Sequence, residues 1–106
     1  MFAYTQAMNL GVHDGSAERA SNFLKSLGNV HRLRLLCLIM EEERPVGDLA
    51  EAAGLTQSAV SQHLARMRQE GLVASRREGQ TIFYRLADAN VARMIKLLDG
   101  MFCAAG

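Results

Sequence analysis

The sequence holds a single proline, two cysteines and no long apolar run. One proline and nine glycines in 106 residues are too few for a collagen-like or low-complexity chain. Two cysteines are too few for a disulfide scaffold. The longest uncharged apolar run, Leu35 to Met40, falls far short of the roughly 20 residues that a membrane span needs. The opening MFAYTQAMNLGVHDG has neither a basic n-region nor an apolar h-region, so no secretory signal is expected and the expected location is the cytoplasm. What is present suffices for one domain: 49% of the residues are hydrophobic and 22% charged, enough to bury a core and to exclude wholesale disorder. The length suits a binding module that dimerises better than an enzyme with a closed pocket.

A net charge of +1 hides an uneven distribution. Residues 1–54 are net −2 and residues 87–106 are neutral. Residues 55–86 are net +3, through Arg66, Arg68, Arg76, Arg77 and Arg85 against Glu70 and Glu78. Arginine suits bidentate contact with phosphate or guanine. Charge alone favours an ordinary solvated, mixed-charge surface.

Periodicity orders the chain. Residues 1–15 lack a sustained period and read as a flexible N-terminal arm. Ser16 is the expected N-cap of a first helix carrying Ala20, Phe23, Leu24 and Leu27 and ending at Gly28. Asn29 is placed to cap a second, with Val30, Leu33, Leu36, Cys37 and Met40 as its apolar stripe. Glu41, Glu42 and Glu43 close that helix as a solvated end, and Pro45 terminates it. Val46 to Ala53 reads as a short helix with Leu49 and Ala53 inward, and Gly54 breaks it. Thr56 opens the next helix, in which Val60, Leu64 and Met67 form one apolar line. Two helices joined by a tight glycine turn are a helix-turn-helix.

After Gly71 the period changes to two. Leu72 to Arg77 reads as a strand, Glu78-Gly79-Gln80 as a turn and Thr81 to Leu86 as a second strand. Asp88 caps a last helix with Val91, Met94, Ile95, Leu98 and Phe102. The expected fold is mainly α with a β-hairpin wing, in the order α-α-α-α-β-β-α. That is a winged helix-turn-helix filling residues 16–106 as one DNA-binding and dimerisation domain.

The polar face near the start of the fourth helix offers Gln57, Ser58, Ser61 and Gln62. A recognition helix reads base edges mainly with its N-terminal residues, and Gln pairs well with adenine. Arg66 and Arg68 lie further along and suit the backbone. Arg76 and Arg77 flank the wing, within reach of phosphates or a minor groove. His63 either touches backbone or supports the turn. Ser and Gln are common surface residues, so their weight comes from the helix-turn-helix, the arginines and the wing taken together.

The strings LGNVHRLRLL (27–36), VGDLAEAAGLTQSAVSQHLARMRQEGLV (46–73) and RREGQTIFYRL (76–86) resemble the ArsR/SmtB winged-helix regulators. The resemblance covers about two-thirds of the chain. It implies a homodimer through the first and last helices, bound to a palindromic operator in double-stranded DNA until an inducer arrives. Many members of that family sense metals. Their thiol string before the turn reads ERPVGDL (43–49) here, with Pro45 and Gly47 where the thiols stand. The last helix carries Asp88 and Asp99 but no histidine. His13, His31 and His63 do not cluster in sequence. No metal and no cofactor are therefore expected.

Cys37 on the second helix and Cys103 at the end of the last match the sulfide- and persulfide-responsive branch, the BigR/SqrR-like repressors and HlyU-like activators. By that resemblance the pair is the redox sensor, and an oxidant or reactive sulfur species is the inducer that bridges it. Free cysteine is also a small hydrophobe, so a packing role for both is the competing reading. A buried Cys37 would react slowly unless Arg34 or His31, a turn upstream, lowered its pKa. Repressor and activator, and persulfide, peroxide and general redox control, stay open at this level. A thiol oxidoreductase is disfavoured, because there is no CxxC and no nucleophile–base constellation. A pure protein-interaction module is disfavoured by the intact polar face of the fourth helix.

Overall fold

The computed structural model describes residues 8–103. A single 3-10 turn, Asn9–Gly11, precedes helix α1 (Ser16–Leu27). Helix α2 (Val30–Glu41), strand β1 (Arg44–Pro45), α3 (Val46–Ala53), α4 (Gln57–Gln69), β2 (Val73–Glu78), β3 (Thr81–Leu86) and α5 (Ala89–Phe102) follow. The expected helices and hairpin are all present. The first seven residues of the expected arm lie outside the described residues.

Local chemistry sets the boundaries. Asn29 accepts the His31 and Arg32 N–H groups at 2.9 and 3.1 Å, satisfying donors that the first turn of α2 leaves without a partner. Thr56 accepts the Ala59 N–H at 3.0 Å at the head of α4, and Asp88 accepts the Asn90 N–H at 2.8 Å at the head of α5. Gly54 sits at φ 70°, the left-handed conformation that lets the chain turn between α3 and α4. One expected cap is different. Ser16 is already helical, Gly15 precedes it at φ 91°, and Asp14 Oδ1 accepts the Ser16 N–H at 2.9 Å.

The sheet has one strand more than the hairpin. β1 pairs antiparallel with β3, Arg44 opposite Tyr84 and Pro45 opposite Phe83, giving the order β1-β3-β2. Two residues ending in a proline carry no alternation from which a strand can be read. Pro45 also precedes the first turn of α3 in extended conformation, so it opens that helix as well as following α2.

The core lies between α2, α3, α4, α5 and the sheet. Leu35, Leu36, Leu49, Val60, Leu64, Met67 and Val91 are fully buried. Burying each such side chain contributes about 1.5–3 kcal/mol. The inward line of α4 is the one expected. That of α2 is rotated: Leu35, Leu36 and Ile39 are buried, Leu33 and Met40 are half-buried, and Val30 and Cys37 are exposed. In α3 the buried alanine is Ala50, with Ala53 half-buried. Leu24 on α1 and Leu97, Met101 and Phe102 on α5 remain exposed, Phe102 at 76%. Among the described residues no helix is long and apolar enough to cross a membrane.

Candidate nucleic-acid interface and thiol site

Thr56 fixes where α4 begins, and the buried Val60, Leu64 and Met67 fix its rotation. The opposite face then presents Gln57, Ser58, Ser61 and Gln62, all exposed. These four hydrogen-bonding side chains stand over the first turns of one helix, whose free N–H groups also favour a phosphate oxygen. Arg66 is exposed further along the same helix. Arg68 reaches back to the wing and donates to Ser75 Oγ at 3.1 Å, tying α4 to β2.

The two wing arginines have different surroundings. Arg76 Nη2 lies 2.8 Å from Glu43, its Nε donates to the same Oε1 at 2.9 Å, and its Nη1 donates to Glu78 at 3.1 Å. Its guanidinium carbon sits 4.5 Å above the centre of the Phe83 ring. That guanidinium is engaged within the molecule. Arg77 is exposed, with no ion pair among the described residues. Register explains the contrast. Arg76 pairs with Phe83 and Arg77 with Ile82, so they occupy opposite faces of the sheet. Arg77 shares its face with Ser75, the residue that α4 grips. The acidic end of α2 is thus more than a solvated terminus, because Glu43 anchors the wing and Glu41 lies 3.8 Å from Arg44.

His63 points back into the molecule. Its ring centre is 5.9 Å from that of His31, at a 45° tilt. Two histidines far apart in sequence therefore meet where α2 begins, beside Arg32, which lies 3.9 Å from Glu70. Burial lowers the His63 pKa, and the charges of Arg32, His31 and Arg66 lower it further. Sequence carries no signal for this pair or for Glu43 with Arg76, because each joins segments with no shared period.

The thiols are both free and both exposed in the single chain. Cys37 lines a cavity of about 230 Å³ with Met40 and Glu41 of α2 and Ile95, Lys96 and Asp99 of α5. Cys103 follows α5 directly, and its N–H donates to the Asp99 carbonyl at 2.8 Å. Two cysteines 66 positions apart thus converge on Asp99. Desolvation, then Asp99, then Glu41 push the Cys37 pKa up; neither Arg34 nor His31 lowers it. A hydrogen bond to the Asp99 carboxylate, with that group's charge, pushes Cys103 up. Among the described residues no three His, Cys, Asp or Glu side chains gather as a metal site would require.

Five helices, a glycine turn ahead of an exposed polar helix and a three-stranded wing define a winged helix-turn-helix regulator that binds DNA rather than an enzyme. Residues 29–75 match the family described as bacterial regulatory protein, arsR family, and the chain belongs to that family. It is 43% identical over 98 residues to the transcriptional activator HlyU of Vibrio cholerae, covering 92% of this chain and 91% of that one. Its structure is similar to that of HlyU, with a TM-score of 0.80 at 42% identity over 85% of this chain and 98% of that one. The transcriptional repressor BigR from Xylella fastidiosa gives a TM-score of 0.82 at 36% identity over 91% and 98% of the two chains. Mb0332 from Mycobacterium bovis, described as a homodimeric winged helix-turn-helix DNA-binding domain, gives 0.71 at 34% over 86% and 87%.

Proposed function

We propose that this chain is a homodimeric operator-binding regulator whose hold on DNA is set by the oxidation state of Cys37 and Cys103. The observation that carries the reading is the convergence of both thiols on Asp99, where α5 meets α2. The exposed Leu24, Leu97, Met101 and Phe102 on the first and last helices supply an apolar face for a second copy, consistent with the homodimer described for Mb0332. Gln57, Ser58, Ser61 and Gln62 would read base edges, with Arg66 and Arg77 on phosphates. Arg68 and Arg76 hold the wing in place, and His63 supports α4 from within. Recognition helices of a dimer in successive major grooves ask for half-sites about 10–10.5 bp apart. Such a protein works beside the chromosome, which places it in the cytoplasm.

The chemistry needs a sulfane-sulfur donor, RSSH. The Cys37 thiolate attacks its outer sulfur, forming Cys37–S–SH and releasing RS⁻. A second RSSH extends this to Cys37–S–S–SH. The Cys103 thiolate then attacks the middle sulfur, HS⁻ leaves, and a trisulfide joins α2 to the end of α5. Peroxide would instead give a sulfenic acid and then a plain disulfide. HlyU is named an activator and BigR a repressor, so the sign of control belongs to the promoter rather than to the fold.

The test is operator binding by reduced protein and by protein treated with a persulfide donor, with fragment masses across Cys37 and Cys103. Bridging should weaken binding between about 5- and 150-fold, the usual range of allosteric coupling. Cys103→Ser should bind as the reduced protein does and ignore the donor. A Cys103→Ser variant that still responds would refute the assignment.

A further inference from the structure

We propose that Asp99, assisted by Glu41, is a charge filter over the two thiols, so that the site takes uncharged sulfur donors and turns away anionic ones. The inference rests on Cys37 and Cys103 being the reacting thiols. Three placements carry it. The cavity beside Cys37 has two carboxylates in its wall, Glu41 and Asp99, against the single ammonium of Lys96; Arg44, 3.8 Å from Glu41, offsets part of that carboxylate's charge, so Asp99 is the main negative group over the thiols. Asp99 accepts the Cys103 N–H through its own carbonyl at 2.8 Å, which holds the second thiol one turn beyond the same carboxylate. Both thiols are exposed in the single chain, so a reagent that reaches either sulfur does so within the field of that charge. Met40 and Ile95 complete the wall with apolar surface suited to a small uncharged body.

The filter acts twice. It disfavours the thiolate at both cysteines, which slows indiscriminate oxidation. It also lowers the local concentration of anions. A hydropersulfide exists as RSSH and as RSS⁻, and the neutral form is the electrophile that a thiolate can attack. The charge that repels RSS⁻ therefore admits the productive species.

The experiment uses reduced full-length protein and two disulfide reagents, uncharged dithiodipyridine and dithiobis-nitrobenzoate, which carries two carboxylates. With either, a protein thiolate attacks one reagent sulfur, a mixed disulfide forms, and the other half leaves as a coloured thiolate or thione with the electron pair. Cys37→Ser and Cys103→Ser assign each phase. The neutral-to-anionic rate ratio should exceed that of the same protein unfolded in urea. Asp99→Asn should lower the ratio about fivefold, Glu41→Gln should lower it less, and about 1 M salt should have the same effect. Circular dichroism checks that each variant is folded. A folded Asp99→Asn protein with an unchanged ratio, or a wild-type ratio equal to the unfolded value, overturns the proposal. The ratio is read without any sulfur donor. A chain that never forms a sulfur bridge would refute the regulatory reading and leave the ratio to judge the filter alone.

Discussion

Arg76 and Arg77 are neighbours in sequence and should behave as opposites. Arg77 is exposed, unpaired among the described residues and on the sheet face that α4 grips. If it sits on a phosphate, replacing it with alanine removes one counterion-releasing contact per protomer. Each phosphate contact on duplex DNA contributes about 0.9 to the slope of log affinity against log salt. A dimer with two wings then loses about 1.8 from that slope. Between about 50 and 200 mM salt, wild-type affinity should fall about 12-fold more than that of Arg77→Ala. Arg76 is already occupied by Glu43, Glu78 and the Phe83 ring. Arg76→Ala should leave the salt slope near wild type and lower the thermal midpoint modestly, since its ion pairs face solvent. Fluorescence anisotropy across a salt series, on operator and on scrambled duplex, reads the slopes, and a thermal scan reads the rest. Arg77→Ala should weaken both duplexes alike. A flattened slope for Arg76→Ala with a normal slope for Arg77→Ala would refute the assignment of faces.

Gln62→Ala should cost about 1–3 kcal/mol of operator discrimination and Ser61→Ala less, both leaving unfolding unchanged, because both side chains project away from the buried line of α4; an operator-to-scrambled affinity ratio unchanged by either substitution would contradict this. Leu64→Ala should destabilise the protein by about 2–5 kcal/mol, since the side chain is fully buried and its removal leaves a cavity; a urea melt measures it, and a loss well below 1 kcal/mol would mean that the site collapses or is not core. The His63 pKa is lowered by folding from its ordinary 6.5. Above pH 6.5 both states hold a neutral imidazole, and below it the unfolded state takes up the proton first. Stability should therefore fall as pH drops below about 6.5, and a folded His63→Gln variant should lose part of that slope in urea midpoints at pH 7.5, 6.5 and 5.5.

Elements whose cause is local were legible in the sequence. Asn29, Thr56 and Asp88 announce three helix starts because a short polar side chain there satisfies specific N–H groups. The wing was legible because Thr81 to Leu86 alternates directly after the Glu78-Gly79-Gln80 turn. The buried face of α2 was not. From Leu35 to Met40 every residue is apolar, so the run has no phase. The helix is apolar around much of its circumference because it packs on the core along one side and towards α5 along another. Spacing alone therefore puts Cys37 on an inward stripe, whereas the structure leaves it exposed. Strand β1, the His31–His63 contact and the Glu43–Arg76 pair were not legible either, since each depends on which distant segment arrives opposite.

Residues 43–45 have a bearing on any attempt to exchange parts between such proteins. Glu43 grips Arg76, while Arg44 and Pro45 pair with Tyr84 and Phe83. Three consecutive residues from before the reading helices are thus built into the hairpin that follows them. The wing is not a cassette bounded by Val73 and Leu86. A hairpin transplanted without 43–45 would arrive with an unpaired edge on β3 and a loose arginine above Phe83. The smallest portable unit runs from Glu43 to Leu86 and carries α3 and α4 with it, so wing and reading helix have to be moved, and altered, together.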